Sequence, residues 1–176
     1  MVRYTPEYIA TLGPNEIFVF GSNLAGHHRG GAARIAHERF GAVWGIGTGL
    51  QGNSYAIPTM QGGIDTIKPY VDEFICFARL HPELTFYVTR IGCGIAGFSD
   101  SEIAPLFDKT YDVKNIILPE SFYKIINHAR QLNSETKGLN FHSVPVKFFE
   151  EDRIKMESMS FEEQINYAQK LKEKGK

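Results

Sequence analysis

The sequence predicts an α/β fold in which helices pack on a mostly parallel, mixed sheet. Short apolar runs alternate along the chain with segments whose apolar residues recur at helical spacing. Such a repeating βα pattern favours parallel pairing of the strands. Two glycine-rich loops, at residues 20–33 and 90–98, each lie at the exit of a predicted strand. Ligands of open α/β sheets bind at that end of the strands, so the loops predict one cleft with two walls.

Most of the predicted strands and helices begin or end at residues that are typical of such boundaries. The breaker Gly13-Pro14-Asn15 precedes the first strand, and Gly41 ends the first helix. Ser99, followed by acidic residues, is typical of a helix N-cap. In chain order we predict strand 17–20, helix 32–40, a glycine-rich loop over 45–54, strand 55–58, helix 67–80, a central strand 84–91, a helix from 99 to about 107, strand 115–118 and helix 121–132.

The character of the sequence changes near residue 134. We assign residues 1–133 to the α/β domain and residues 134–176 to a linker and C-terminal helical extension that packs on or beside it. Residues 133–140 are polar, 144–149 suit an edge strand or a packing segment, and 161–174 form an amphipathic helical pattern. That last helix either docks on the domain or binds a protein partner.

Composition bounds the class of protein. The chain has 176 residues and a formal net charge of −1, which gives no general attraction to nucleic acid, although nucleic acid is not excluded as a partner. Its two cysteines, Cys76 and Cys93, cannot form a disulfide framework. No apolar run is long enough to span a bilayer, and the N-terminus lacks a secretion signal. We therefore expect a cytoplasmic protein with no membrane contact.

The first loop, residues 20–33, carries glycine at a density that brings backbone N–H groups close to an oxyanion. It is not a Walker A loop, because His27-His28 stand where lysine and a hydroxyl residue are needed. Partners at metal-ligand spacing are missing around these histidines, so we expect phosphate contact or simple exposure and no metal.

Two strings match Gly-x-Gly-x-x-Gly. The first, residues 47–52, precedes a strand rather than a helix, which favours an amide-rich turn lining the same cleft. The second, residues 92–97, has a strand before it and a helix after it. The next strand, however, does not end on an acid placed to bind ribose, so a dinucleotide-binding Rossmann unit is the weaker alternative.

Three single residues have both a structural and a functional interpretation. Asn23 either closes an Asx turn or hydrogen-bonds ribose hydroxyls. Phe98 is either a core contact or an aromatic shelf for a ribose or base. Cys93 is either a small space-filling residue or a nucleophile whose pKa a helix N-terminus lowers, with a histidine of the first loop or its helix as the base.

Segments 19–23, 30–35 and 91–98 together resemble the macro domain. The combination FGSNLAG, GLQGNSYAIPT and IGCGIAGF is more specifically similar to a group of little-characterised bacterial and phage proteins described as macro-domain-like. The resemblance covers roughly residues 15–120. It implies a three-layer α/β/α domain that binds ADP-ribose or a related phosphorylated nucleoside, with no cofactor and no metal.

The resemblance also implies roles for particular residues. Asn23 matches the ribose-facing asparagine and would position the attacking water if an ADP-ribosyl bond is hydrolysed, and Glu16 is the nearest candidate for the acid that reads adenine. A non-catalytic adaptor and a Cys93-dependent hydrolase are the alternatives. The ligand-binding residues that we predict are Gly21, Ser22, Asn23, Gly30, Gly31, Ala32, Gly92, Cys93, Gly94, Ile95, Ala96, Gly97 and Phe98.

Overall fold

A computed structural model describes residues 2–138, with side chains described through residue 134. This part of the chain contains five strands and four α-helices, which confirms the predicted α/β class with a mixed sheet. The elements are β1 (Glu16–Ser22), α1 (Gly31–Arg39), β2 (Gly49–Gln51), β3 (Ser54–Pro58), α2 (Ile64–Leu80), β4 (Thr85–Val88), α3 (Asp100–Ile103), a 3-10 helix (Ala104–Thr110), β5 (Ile116–Ile117) and α4 (Glu120–Gly138).

The sheet places the carboxyl ends of three parallel strands side by side. Its strand order is β2-β3-β1-β4-β5, with β2 antiparallel to β3 and all other neighbours parallel. Strand β1 pairs with β3 up to Ser22 opposite Pro58, and with β4 up to Val19 opposite Val88. The segments that leave β1, β3 and β4 therefore start at the same edge of the sheet.

Strand β1 is buried on both of its faces, as its continuous apolar run predicts. Successive strand residues point to opposite faces, and Ile17 and Val19 join one hydrophobic cluster while Phe18 and Phe20 join another. The larger cluster includes residues of α2, the 3-10 helix and α4, and the smaller one includes residues of α1. Burial of these side chains fixes where β1 ends and the first loop begins.

Strand β2 was not predicted, because residues 45–54 carry so many glycines that they resemble a loop. Three of these residues pair with β3 in antiparallel register, from Gly49 opposite Ala56 to Gln51 opposite Ser54. Gly49 and Gly52 have φ values of +78° and +53°, which glycine adopts without strain. The glycines of this segment therefore shape a short hairpin.

Two elements are shorter than their patterns predict. Strand β4 ends at Val88, and just beyond it both the backbone N–H and the side-chain hydroxyl of Thr89 donate to the Val19 carbonyl of β1. Helix α3 begins after Ser99 as predicted, and the Ser99 N–H donates to a carboxylate oxygen of Glu102. It then tightens into a 3-10 helix, where Pro105 cannot supply a helical N–H.

Helix α4 continues to Gly138, six residues beyond its predicted end, so the start of the predicted polar linker is helical. Contacts divide the chain after Leu132. The segment predicted at 144–149 and the helix predicted at 161–174 lie outside the described residues. Of the helices described, none is long and apolar enough to cross a membrane.

A substitution at Phe74 of α2 tests how much the packing of the larger hydrophobic cluster stabilises the fold. Its ring is fully buried and lies 5.1 Å from the ring of Tyr55 and 5.4 Å from that of Phe86, measured between centroids. We predict that Phe74→Ala lowers the free energy of unfolding by about 3–5 kcal/mol, through lost burial and the cavity left behind. Urea unfolding followed by circular dichroism measures this. The control is Leu80→Ala, whose side chain is exposed on the same helix, and an equal loss in both variants would contradict the prediction.

Candidate functional site

The two glycine loops meet in one cleft of about 430 Å³ at the carboxyl ends of β1, β3 and β4. One wall is the first loop with the start of α1, and the other is the second loop. The structure brings most of the predicted ligand-binding residues to its lining, namely Gly21, Ser22, Asn23, Gly30, Gly31, Ala32, Gly92, Gly94, Ile95 and Ala96.

The floor of the cleft is formed by the residues at the carboxyl ends of β1, β3 and β4, which contact one another. Gly21 lies so close to its neighbours that a Cβ atom on it would be 3.1 Å from Thr59 Oγ1 and 3.3 Å from the backbone nitrogen of Gly92. The Thr59 N–H donates to the Ser22 carbonyl at 2.9 Å, which fixes the exit of β3 against that of β1. A side chain at position 21 would therefore need Thr59 or the Gly92 backbone to move by a few tenths of an ångström.

The first wall presents an uncapped helix N-terminus. Gly30 is the N-cap of α1 and has no side chain to accept from the first helical N–H groups, and no acidic residue lies in the first turn. The first three residues of α1, from Gly31 to Ala33, line the cleft. These N–H groups and the positive end of the helix dipole make this wall suited to an anion.

The second wall also presents backbone N–H groups. Among described residues, the backbone hydrogen bonds that fold this loop use the N–H groups of Cys93, Gly97 and Phe98, and not those of Gly94, Ile95 and Ala96. The last three residues line the cleft. Ile95, whose side chain is 75% exposed, reaches toward the first wall, with its Cδ1 3.2 Å from the position a Cβ of Gly30 would occupy. The two loops therefore approach one another across the cleft.

The side-chain charges around the cleft are basic. His27, Arg29 and Arg90 line it, and no carboxylate does so among the described residues. Arg90 is oriented by Asp100, whose Oδ1 accepts from Nε at 3.0 Å and from Nη2 at 2.8 Å. The Arg90 side chain is nevertheless largely exposed, so its charge acts at the cleft entrance.

Asn23 lies at the cleft with its amide engaged in the loop itself. Its Nδ2 donates to the His27 carbonyl at 3.0 Å, and its Oδ1 accepts from the His27 N–H at 3.1 Å. These two bonds, with Gly26 N–H donating to the Asn23 carbonyl, close the turn from Asn23 to His27. Asn23 thus shapes the first loop, but through bonds to a residue four positions on and not through the predicted Asx turn, which would bond two positions on.

Three of the predicted ligand-binding residues do not line the cleft in the described structure: Cys93, Gly97 and Phe98. Cys93 and Phe98 are partly buried against the larger hydrophobic cluster, so Phe98 packs on the core instead of forming a shelf in the cleft. Burial raises the pKa of the Cys93 thiol to about 12, and the nearby carboxylate of Asp100 adds to the shift. The prediction that a helix N-terminus lowers the pKa of Cys93 is therefore wrong, and the thiol is a poor nucleophile.

Glu16 was the nearest candidate for the residue that reads adenine, and its position is wrong for that role. It begins β1, whereas the cleft lies at the other end, about 20 Å away at about 3.3 Å per residue. Its carboxylate accepts from the Gly13 N–H at 2.7 Å and from the Tyr87 hydroxyl at 2.9 Å. Glu16 therefore anchors the start of the strand.

Sequence reasoning missed several lining residues, including Thr59, Met60, Thr89 and Arg90. Each directly follows β3 or β4, so the rule that sites lie at strand carboxyl ends could have found them. Residues 47–52, predicted as an amide-rich turn lining the cleft, instead belong to the loop and hairpin around β2 and are not part of its described lining.

Comparison with known proteins adds no family: no family model matches the sequence, and no curated protein or solved structure matches the chain. The described residues contain no group of three or more histidine, cysteine or acidic side chains that could hold a metal ion. The fold and the site themselves define an α/β protein with a glycine-walled, basic cleft.

The state of the Cys93 thiol can be tested by alkylation. Because only the thiolate reacts and its pKa is raised to about 12, Cys93 of the folded chain should stay unmodified by iodoacetamide from neutral to mildly alkaline pH. The exposed Cys76 should react under the same conditions. Peptide mass spectrometry measures both, with the unfolded chain as the control in which both react. Equal rates for the two cysteines in the folded chain would show that the pKa of the Cys93 thiol is not raised.

Proposed function

We propose that this chain is a macro-like, three-layer α/β/α domain that binds ADP-ribose or a related phosphorylated nucleoside in the cleft. The observation that carries the proposal is the charge of the cleft walls. An uncapped helix N-terminus faces a loop with unbonded N–H groups, basic side chains flank both, and no carboxylate is in the described lining. A diphosphate is the ligand chemistry that such walls favour.

The size of the cleft and the layering of the core support the same proposal. A volume of about 430 Å³ lies within the range of about 300–1,000 Å³ typical of small-molecule sites. The alternate residues of β1 belong to two clusters, one with α1 and the other with α2, as a sheet between two helical layers requires. An elongated ligand can lie along the groove between the two loops, with its phosphates between the N–H groups.

Binding without turnover is favoured over hydrolysis. A hydrolase needs a group that activates water or attacks the substrate. The Asn23 amide cannot take up a proton and is engaged with the backbone of His27. The Cys93 thiol stays protonated, and no carboxylate is present among the described lining residues. These observations tell against Asn23 and Cys93, the two catalytic residues predicted from the sequence, and on that ground favour the non-catalytic alternative, a nucleotide-binding adaptor.

Gly94→Glu tests the binding proposal. A Cβ atom on Gly94 would meet no atom within 4 Å and the position has no positive φ, so the fold should persist while a negative charge enters the phosphate-binding wall. We predict that calorimetric titration with ADP-ribose, AMP or NAD shows binding to the wild-type chain and at least about a tenfold loss in the variant, equivalent to about 1.4 kcal/mol.

The matched control is Gly63→Glu, which adds the same charge at a glycine that also has open space and does not line the cleft. It should bind like the wild type. Equal losses in both variants would mean that net charge, and not the cleft, governs affinity. Absence of binding by the wild-type chain to all three ligands, even at millimolar concentration, would refute the ligand class.

Turnover is tested separately. We predict that the chain, incubated with ADP-ribose 1″-phosphate or with an ADP-ribosylated protein, leaves the substrate intact, because the two residues predicted for hydrolysis are a neutral amide bonded within its own loop, Asn23, and a thiol of raised pKa, Cys93. Phosphate release and loss of the protein-bound label are the measurements. Release above the uncatalysed rate that disappears in Asn23→Ala would instead establish the hydrolase.

A further inference from the structure

Trp44 is the single tryptophan of the chain, and 47% of its surface is exposed. It lies in the segment between α1 and β2, residues 40–48, and belongs to neither hydrophobic cluster. Burial of the other half of the side chain stabilises the fold, and the exposed half leaves part of the indole ring open to a ligand.

The segment that carries Trp44 is held firmly in place. Gln51, which is buried, accepts from the Val43 N–H at 2.7 Å and donates to the Ile46 carbonyl at 3.2 Å. The Val43 carbonyl lies 3.0 Å from Nε2 of the buried His28. The backbone on both sides of Trp44 is thus fixed by buried polar side chains.

Two glycines bring this segment against the first glycine loop. A Cβ on Gly47 would lie 2.0 Å from the Asn23 carbonyl oxygen, and a Cβ on Gly26 would lie 2.2 Å from the backbone nitrogen of Ile46. The Gly45 N–H donates to the Gly26 carbonyl at 3.1 Å. The loop that forms one wall of the cleft and the loop that carries Trp44 therefore pack backbone to backbone.

Trp44 touches the two side chains that connect it to the cleft. The His27 ring is stacked on it, with centroids 5.2 Å apart and an interplanar angle of 27°. The Arg29 guanidinium carbon lies 5.7 Å from the centre of the indole ring. Both His27 and Arg29 line the cleft. The cleft wall thus continues outward into a stacked aromatic pair beside a cation.

We propose that the His27–Trp44 pair is a stacking site for the planar heteroaromatic base of a nucleotide whose phosphate occupies the cleft. This inference rests on the proposed function. It adds a binding site for the base of the ligand, which lies outside the two walls that bind the phosphates. Aromatic side chains bind bases through their faces, and a neighbouring arginine strengthens such sites. Because the loop is already fixed, binding does not have to order it.

The spacing along the chain fits this ligand. Arg29, which contacts Trp44, immediately precedes Gly30, which begins the anion-binding wall. In a nucleoside 5′-phosphate a single ribose separates the base from the phosphate. In the proposed pose the base lies on the His27–Trp44 pair and the phosphate lies at the start of α1.

The experiment compares ligands that differ only in the base. The full chain is titrated by calorimetry with AMP, nicotinamide mononucleotide and base-free ribose 5-phosphate, and the ratio of the first two affinities tells which base is preferred. Trp44→Leu should weaken a base-bearing ligand at least about fivefold, as expected from the measured worth of base stacking, and ribose 5-phosphate less than about twofold. Leu50→Ala, which removes another exposed apolar side chain, should bind as the wild type.

Tryptophan fluorescence of the wild-type chain gives a second readout that does not depend on a variant's folding. Since Trp44 is the single tryptophan, a base-bearing ligand should change its emission at saturation, and ribose 5-phosphate should not. Unchanged emission with AMP and nicotinamide mononucleotide, together with equal effects of Trp44→Leu on all ligands, would overturn the stacking site. If Gly94→Glu still abolishes binding in that case, the proposed function stands without it. Binding of none of the three ligands would overturn both.

Discussion

The close contact between the exits of β1, β3 and β4 is the constraint on which the site depends. Because β1 has a parallel neighbour on each side, three segments leave the sheet at one edge. Gly21 allows them to touch there, with the Thr59 hydroxyl and the Gly92 backbone within about 3 Å of where its side chain would be. The two loops then rise from a common floor and face each other. The sheet itself thereby brings the anion-binding N–H groups of the two walls close together. The loops only have to leave these N–H groups exposed to the cleft.

Hydrogen bonds within each loop decide which groups are left for a ligand. The turn closed by Asn23 consumes its own amide, and the second loop consumes the N–H groups of Cys93, Gly97 and Phe98. The N–H groups that remain, at the start of α1 and in the second loop, face the cleft, with basic side chains around them. A residue type suited to ligand contact is therefore not sufficient, because the same donors and acceptors are needed to fold tight loops.

The sequence predicted the class of fold and the two loops because buried strands and amphipathic helices have strong local patterns. It also placed most of the glycine walls, since strand carboxyl ends converge in any parallel sheet. The errors arose where local pattern carries no information. Strand β2 was missed because its glycine-rich residues give no strand pattern of their own, although it pairs with β3, which begins after two intervening residues. The direction of the Phe98 ring follows from core packing, and the pKa of Cys93 follows from burial. Glu16 was misplaced because a residue at the start of a strand lies far from one at its end.

A cleft whose walls are mostly main chain has a consequence for how its sequence can vary. A Cβ atom at Gly94 would meet open space, whereas a Cβ atom at Gly26 or Gly47 would collide with backbone atoms. The recognition groups are N–H groups, which every residue except proline supplies. Substitutions that keep the backbone path can therefore leave the donors of the cleft unchanged, provided that the crowded glycines and those with positive φ, such as Gly31 and Gly92, persist. The shape of this site is encoded by where side chains are forbidden.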